Sequence, residues 1–87
     1  MKSFKKGETI QVWDWWAAEN NREDDNQTLK SHGSLGVVVR KSRANDKGDN
    51  GHKLGKSAKH CYLVALIGEG LKSVSADWLR YPREHKR

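Results

Sequence analysis

Apolar side chains gather in three clusters along the chain, at positions 10–16, 35–39 and 62–79, with two strongly hydrophilic stretches between them. In the first cluster Thr9-Ile10-Gln11-Val12-Trp13 alternates. Successive strand side chains point to opposite faces, so Ile10 and Val12 share one face while Gln11 and Trp13 take the other. The second cluster, Leu35-Gly36-Val37-Val38-Val39-Arg40-Lys41, is rich in β-branched residues and follows the boundary Gly33-Ser34, which predicts a second strand. Gly36 has no side chain to pack there and marks either a bulge or a close backbone crossing. Residues 59–67 predict a third strand, with Cys61, Leu63, Ala65 and Ile67 on one face and Tyr62, Val64 and Leu66 on the other. Apolar residues on both faces predict a central or strongly curved strand, covered on both sides over part of its length.

Gly68-Glu69-Gly70 stops that run and predicts a hairpin, leading into a fourth strand at 72–75 with Val74 facing inward. Ala76-Asp77-Trp78-Leu79 can close one helical turn, and Arg80-Tyr81-Pro82 can form a short fifth strand. Pro82 has no N–H to donate, so it belongs at an edge or an end. Trp15-Trp16-Ala17-Ala18 fits a short helical turn or an irregular continuation equally well. A lone hairpin is marginal in water, so these elements must share one core. The pattern predicts an all-β, five-stranded domain over residues 1–82, followed by a polar, frayed tail at 83–87.

The two hydrophilic stretches differ in character. Around 19–27, Glu19, Glu23, Asp24 and Asp25 surround Arg22 with nothing to bury, which predicts a solvated, mobile loop, and Leu29 beyond it is a lone apolar anchor. Residues 42–58 hold Gly48, Gly51 and Gly55 among lysines, asparagines and aspartates, with Leu54 as the one large aliphatic side chain. That composition predicts a long, flexible loop with a basic surface, and long loops in small domains are usually either functional or disordered.

Five short strands, long connections after the first and second, a hairpin between the third and fourth, and a helical turn before the last resemble an SH3-like small β-barrel. Gly7-Glu8-Thr9-Ile10-Gln11-Val12, Leu35-Gly36-Val37-Val38-Val39 and the SVSADWL stretch at 73–79 are similar to the KOW and translation-protein group of such barrels. In that group the opening strands follow or begin near glycines, and a one-turn helix delivers an apolar pair to the end of the barrel. A small, lysine-rich, stand-alone barrel also resembles the accessory proteins of bacteriophages.

Charge sharpens the functional expectation. The 87 residues carry a formal net charge of +6. Between positions 40 and 59 lie seven positive side chains, Arg40, Lys41, Arg43, Lys47, Lys53, Lys56 and Lys59, against Asp46 and Asp49. Lysine and arginine neutralise phosphates and release condensed counterions, while glycines let the backbone follow an irregular ligand, so these seven residues are the candidate nucleic-acid contacts. No apolar run approaches the roughly 20 residues that span a bilayer, and the N-terminus lacks a secretion signal, so a cytoplasmic protein is expected, in the host cytoplasm if it is viral. The single Cys61 excludes an internal disulfide, which fits a reducing compartment.

Trp13, Trp15 and Trp16 lie too close together for all three to point inward, so at least one is exposed for base stacking or a partner contact. Trp78, beside Leu79, belongs to the core. Metal-ligand spacing is absent, since no CxxC or HxxxH pair occurs and His60 and Cys61 point to opposite faces of one strand. A calcium loop would need alternating ligands and a closing glutamate that 19–25 lacks, and Gly48-Asp49-Asn50-Gly51 lacks the ending of a phosphate-binding loop. Cys61 has no designated base nearby in sequence. The expectation is a monomeric, non-enzymatic module without cofactor or metal, binding nucleic acid (DNA or RNA) or a nucleic-acid-processing protein through the basic loop and the basic C-terminal tail at 83–87, with little sequence specificity. The alternative is a protein-interaction module, such as a small phage inhibitor that grips a host protein through its tryptophans.

Overall fold

The computed structural model describes residues 3–20, 29–48 and 51–82. The expected tail at 83–87 and most of the acidic stretch lie outside the described residues. Five antiparallel strands form one sheet: β1 (Thr9–Val12), β2 (Leu35–Lys41), β3 (Cys61–Leu66), β4 (Gly70–Ser75) and β5 (Leu79–Arg80), in the spatial order β4-β3-β2-β1-β5. The sheet curls into a half-barrel, the small all-β barrel expected from the pattern, with a 3-10 turn at Ala76–Trp78 before the last strand.

The core fills the concave side. Ile10 and Val12 of β1, Val38 of β2, Tyr62, Val64 and Leu66 of β3, Val74 of β4 and Leu79 after the 3-10 turn form one buried cluster with Phe4 and Ala76. Members come from both edge strands, so the curl itself is what excludes water from the cluster. Leu29 packs against its margin as the lone anchor expected, and Trp78, expected within the core, packs against that margin partly buried. The Tyr62 hydroxyl accepts the Phe4 backbone N–H at 3.2 Å and the Phe4 ring meets Tyr62 edge-on, which fastens the segment before β1 across the core.

Two local features decide how β2 sits. A Cβ added to Gly36 would lie 2.4 Å from the Ala65 carbonyl oxygen and 2.9 Å from a Leu66 methyl carbon. Of the two readings of this glycine, the close backbone crossing is the correct one. The bulge falls further along: Val38 pairs with Val64, but Arg40 pairs with Leu63, so Val39 is the extra residue. One inserted residue reverses the alternation, turning Arg40 to the outer face and setting Lys41 opposite Tyr62.

The helix-or-irregular ambiguity after β1 resolves as a short helix, α1 (Trp15–Glu19). Asp14 is 4% exposed and caps it, with Oδ1 accepting the Ala17 N–H at 3.0 Å. Its Oδ2 accepts the Leu29 N–H at 3.1 Å, holding the far end of the acidic connection against the cap. Between β3 and β4, Gly68 and Gly70 have φ near +81° and +82°, the left-handed conformation that lets three residues reverse the chain.

Gly36→Ala drives a methyl group into a backbone carbonyl that neighbouring strand bonds hold in place. It is expected to lower stability by about 1–3 kcal/mol, read as a reduced urea midpoint at unchanged slope.

Candidate nucleic-acid interface

The connection from β2 to β3 is more organised than its glycine and lysine content predicts. Arg40, turned outward by the bulge, makes a two-pronged pair with Asp46, Nη1 to Oδ2 at 2.8 Å and Nη2 to Oδ1 at 3.1 Å. Asp46 Oδ2 also accepts the Arg43 backbone N–H at 2.7 Å. The guanidinium first, and then that N–H, hold the Asp46 carboxyl below its ordinary pKa, while the hydrogen bonds to Asp46 raise Arg40. Beyond the brace the chain doubles back as a narrow ribbon, with Lys47 bridged to Lys53, Leu54 N–H on the Asp46 carbonyl and Gly55 N–H on the Ala44 carbonyl. A 3-10 segment, Gly55–His60, then returns to β3.

The ribbon is also anchored to the sheet. The Ser42 N–H donates to the Cys61 carbonyl, the Ser42 hydroxyl to the Ser73 hydroxyl at 2.7 Å, and the Ser73 N–H to the Lys47 carbonyl at 3.1 Å. The last of these satisfies an edge group of β4 that would otherwise face solvent. Beneath this cover Cys61 and Leu63 are buried on the outer face of β3, so that strand is covered on both sides at this end, as its double apolar pattern predicts.

The seven predicted contacts divide accordingly. Arg40 is half-buried and committed to Asp46, so it braces the loop. Lys41, Arg43, Lys47, Lys53, Lys56 and Lys59 are exposed. Among the described residues no carboxylate pairs with Lys47, Lys53, Lys56 or Lys59. The bridge sets Lys47 directly across from Lys53, and like charges in that relation repel.

The tryptophans form a separate assembly. Arg80 lies over Trp13, its guanidinium carbon 3.5 Å from the ring centre and 5.7 Å from that of Trp15, while its Nε donates to Gln11. The Trp13 ring also meets His32, whose Nδ1 accepts the Asp14 N–H at 2.9 Å. Trp13 and Trp15 are partly buried, and Trp16 is the exposed member of the trio, at 43%. Val12 bonds to Ser34, at the start of β2, whereas the basic ribbon leaves from its far end. Seven strand residues separate those ends by roughly 20 Å at about 3.3 Å each. The indoles and lysines thus occupy different regions, and the stacking-plus-phosphate arrangement expected from the sequence is not assembled among the described residues.

One cluster escaped the sequence reading. Glu69, in the hairpin turn, accepts from the Ser34 and Ser31 hydroxyls and from Lys72 Nζ at 3.1 Å. The Ser34 hydroxyl first, then Lys72 and Ser31, hold its carboxyl below the ordinary value. Ser31 is 1% exposed, and the group ties the hairpin to the 31–34 turn. Burial pushes the Cys61 thiol up, opposite to the activation a nucleophilic cysteine requires. No signal short of the folded register could pair Glu69 with serines more than thirty positions away.

Asp46 has a lowered folded pKa, so its contribution is present above the unfolded value near 3.9 and is lost as pH falls through the lower, folded value. Asp46→Asn is expected to speed amide exchange at Leu54 and Gly55 at neutral pH. The wild-type protein should approach the variant's exchange only in acid, with any catalysed exchange background subtracted.

No family model, no curated protein and no solved structure matches this chain, so its function has to be read from these surfaces.

Proposed function

We propose that this protein is a non-enzymatic binding module that holds nucleic acid by its phosphates, through the ribbon and 3-10 segment between β2 and β3. The observation that carries this reading is the bridge between Lys47 and Lys53. Two ammonium groups opposed on a ribbon that is itself fastened to the sheet cost electrostatic free energy, and a polyanion laid between them relieves it. Arg43 precedes the bridge in the chain and Lys56 and Lys59 follow it, all three exposed. Arg40 contributes indirectly by keeping the ribbon folded around Asp46.

Recognition on these terms is by charge. The tryptophans sit at the other end of β2, so they do not stack bases of a strand held at the ribbon, and among the described residues no helix is long enough to read a groove. Phosphate contacts position a duplex without reporting its sequence. Duplex DNA, with the higher charge density, is therefore the preferred ligand over a single strand.

Binding to random duplex DNA is expected to weaken steeply with salt. Replacing both Lys47 and Lys53 by serine should flatten the plot of log affinity against log salt by about 2, because each lost phosphate contact removes about 0.9. Trp15→Ala should leave that slope unchanged. Salt-independent binding, or a slope untouched by the double replacement, would exclude the ribbon as the contact.

A further inference from the structure

Tyr62 gathers two segments that are far apart in the chain. The Phe4 N–H donates to its hydroxyl, and the Phe4 ring centre lies 5.6 Å from that of Tyr62. Lys41, the last residue of β2 before the ribbon, is the register partner of Tyr62, and its ammonium sits 5.9 Å from the same ring centre. The segment that follows Phe4 is therefore brought to the end of β2 from which the ribbon departs.

That segment is a tight turn fastened on several sides. The Glu8 N–H donates to the Lys5 carbonyl at 3.1 Å, the Lys5 N–H to Glu8 Oε1 at 2.6 Å, and the N–H of Gly7, whose φ is near +88°, to the Val38 carbonyl at 2.8 Å. Its tip presents Lys5 and Lys6, both exposed, and neither ammonium pairs with a carboxylate among the described residues. Glu8, the carboxylate of the turn, also accepts the Tyr81 hydroxyl at 3.0 Å, and the Tyr81 ring meets Phe4 at 5.3 Å. Lys5, Lys6 and Lys41 thus set three positive charges against one negative on backbone that is already immobilised.

We infer that Lys5 and Lys6, with Lys41, form a second phosphate-contacting group for the duplex held at the ribbon, an assignment that rests on the ribbon's proposed ligand. Lysines carried by fixed backbone leave only side chains to be ordered on binding. An ammonium is a point charge that meets phosphate oxygens without the planar match that arginine makes to a carboxylate, so the all-lysine set favours a phosphate backbone over an acidic protein segment. Spacing selects a duplex. The ribbon is bonded to the edge of β4 through the Lys47 carbonyl, and the turn is bonded to Val38 beside β1. From β4 to β1 is three strand spacings in the sheet, roughly 15 Å at about 4.8 Å each. One turn of duplex is about 34 Å long and carries a charge for about every 1.7 Å, so its phosphates reach both groups, whereas a free phosphate ion reaches one.

The test is titration of random duplex DNA against salt with the Lys5→Ser/Lys6→Ser variant, the Lys47→Ser/Lys53→Ser variant and the combination of all four replacements. The turn variant is expected to flatten the plot of log affinity against log salt by about 2, at about 0.9 per lost contact, and the combination by about 4. Lys5→Arg/Lys6→Arg should keep the wild-type slope, and Lys30→Ser, beside the turn at the other end of β2, should leave it unchanged. Lys5 and Lys6 are exposed, and thermal melts at the wild-type midpoint verify that the variants fold. A flattened ribbon variant beside an unchanged turn variant would overturn the second group and leave the ribbon as the contact. The reverse would exclude the ribbon and keep the turn. Equal flattening per lysine by Lys30→Ser would show a response to net charge alone and overturn the assignment, as would displacement of the duplex by polyglutamate at matched charge. Salt-independent binding would remove both groups together.

Discussion

Tyr62, Val64 and Leu66 on one side and Cys61 and Leu63 on the other oblige β3 to be covered twice. The concave cover comes from the curl of the sheet, which brings both edge strands around the same cluster. The outer cover comes from the hydrophilic connection, which has almost no apolar side chains to offer. It compensates with main-chain bonds to Cys61 and Ser73 and with the 3-10 segment that buries Ala58. The basic surface is consequently part of how the domain is closed. Its lysines are displayed outward because the backbone beneath them is occupied.

Two ion pairs mark the ends of this arrangement. Arg40 with Asp46 folds the ribbon back at one end of β2, and Glu69 with Lys72 secures the hairpin at the other. Both are partly exposed, and pairs of that kind add little to stability. Their consequence is positional. Asp46 fixes where the ribbon turns, and Glu69 gathers Ser31 and Ser34, fastening the turn that leads into β2. Each also engages a carboxylate, Asp46 beside the ribbon and Glu69 in the hairpin turn.

Much of the fold was legible in the chain. The alternation at 9–13, the β-branched run at 35–39 and the two glycines around Glu69 are local signals, and local signals sufficed for four strands, the hairpin and the one-turn helix. The cap at Asp14 was not read, although an aspartate before Trp15-Trp16-Ala17-Ala18 is a helix-start pattern. The organisation of 42–58 was not legible, because it rests on Ser42 and Lys47 meeting a strand that begins near the end of the chain. The bulge was hidden for a similar reason: three consecutive valines carry no mark of which one is skipped. For the site, sequence identified the charged residues. Only the register showed that Arg40 is spent internally, that Lys47 faces Lys53, and that the tryptophans lie at the opposite end of β2.

The burial of Cys61 under that same cover makes the chain's lone sulfur a natural clock. A thiol held away from solvent and kept protonated reacts with an alkylating reagent only when the lid over β3 lifts. Labelling kinetics at this one atom therefore time the opening of the connection, without an engineered dye or a second cysteine to confuse the signal.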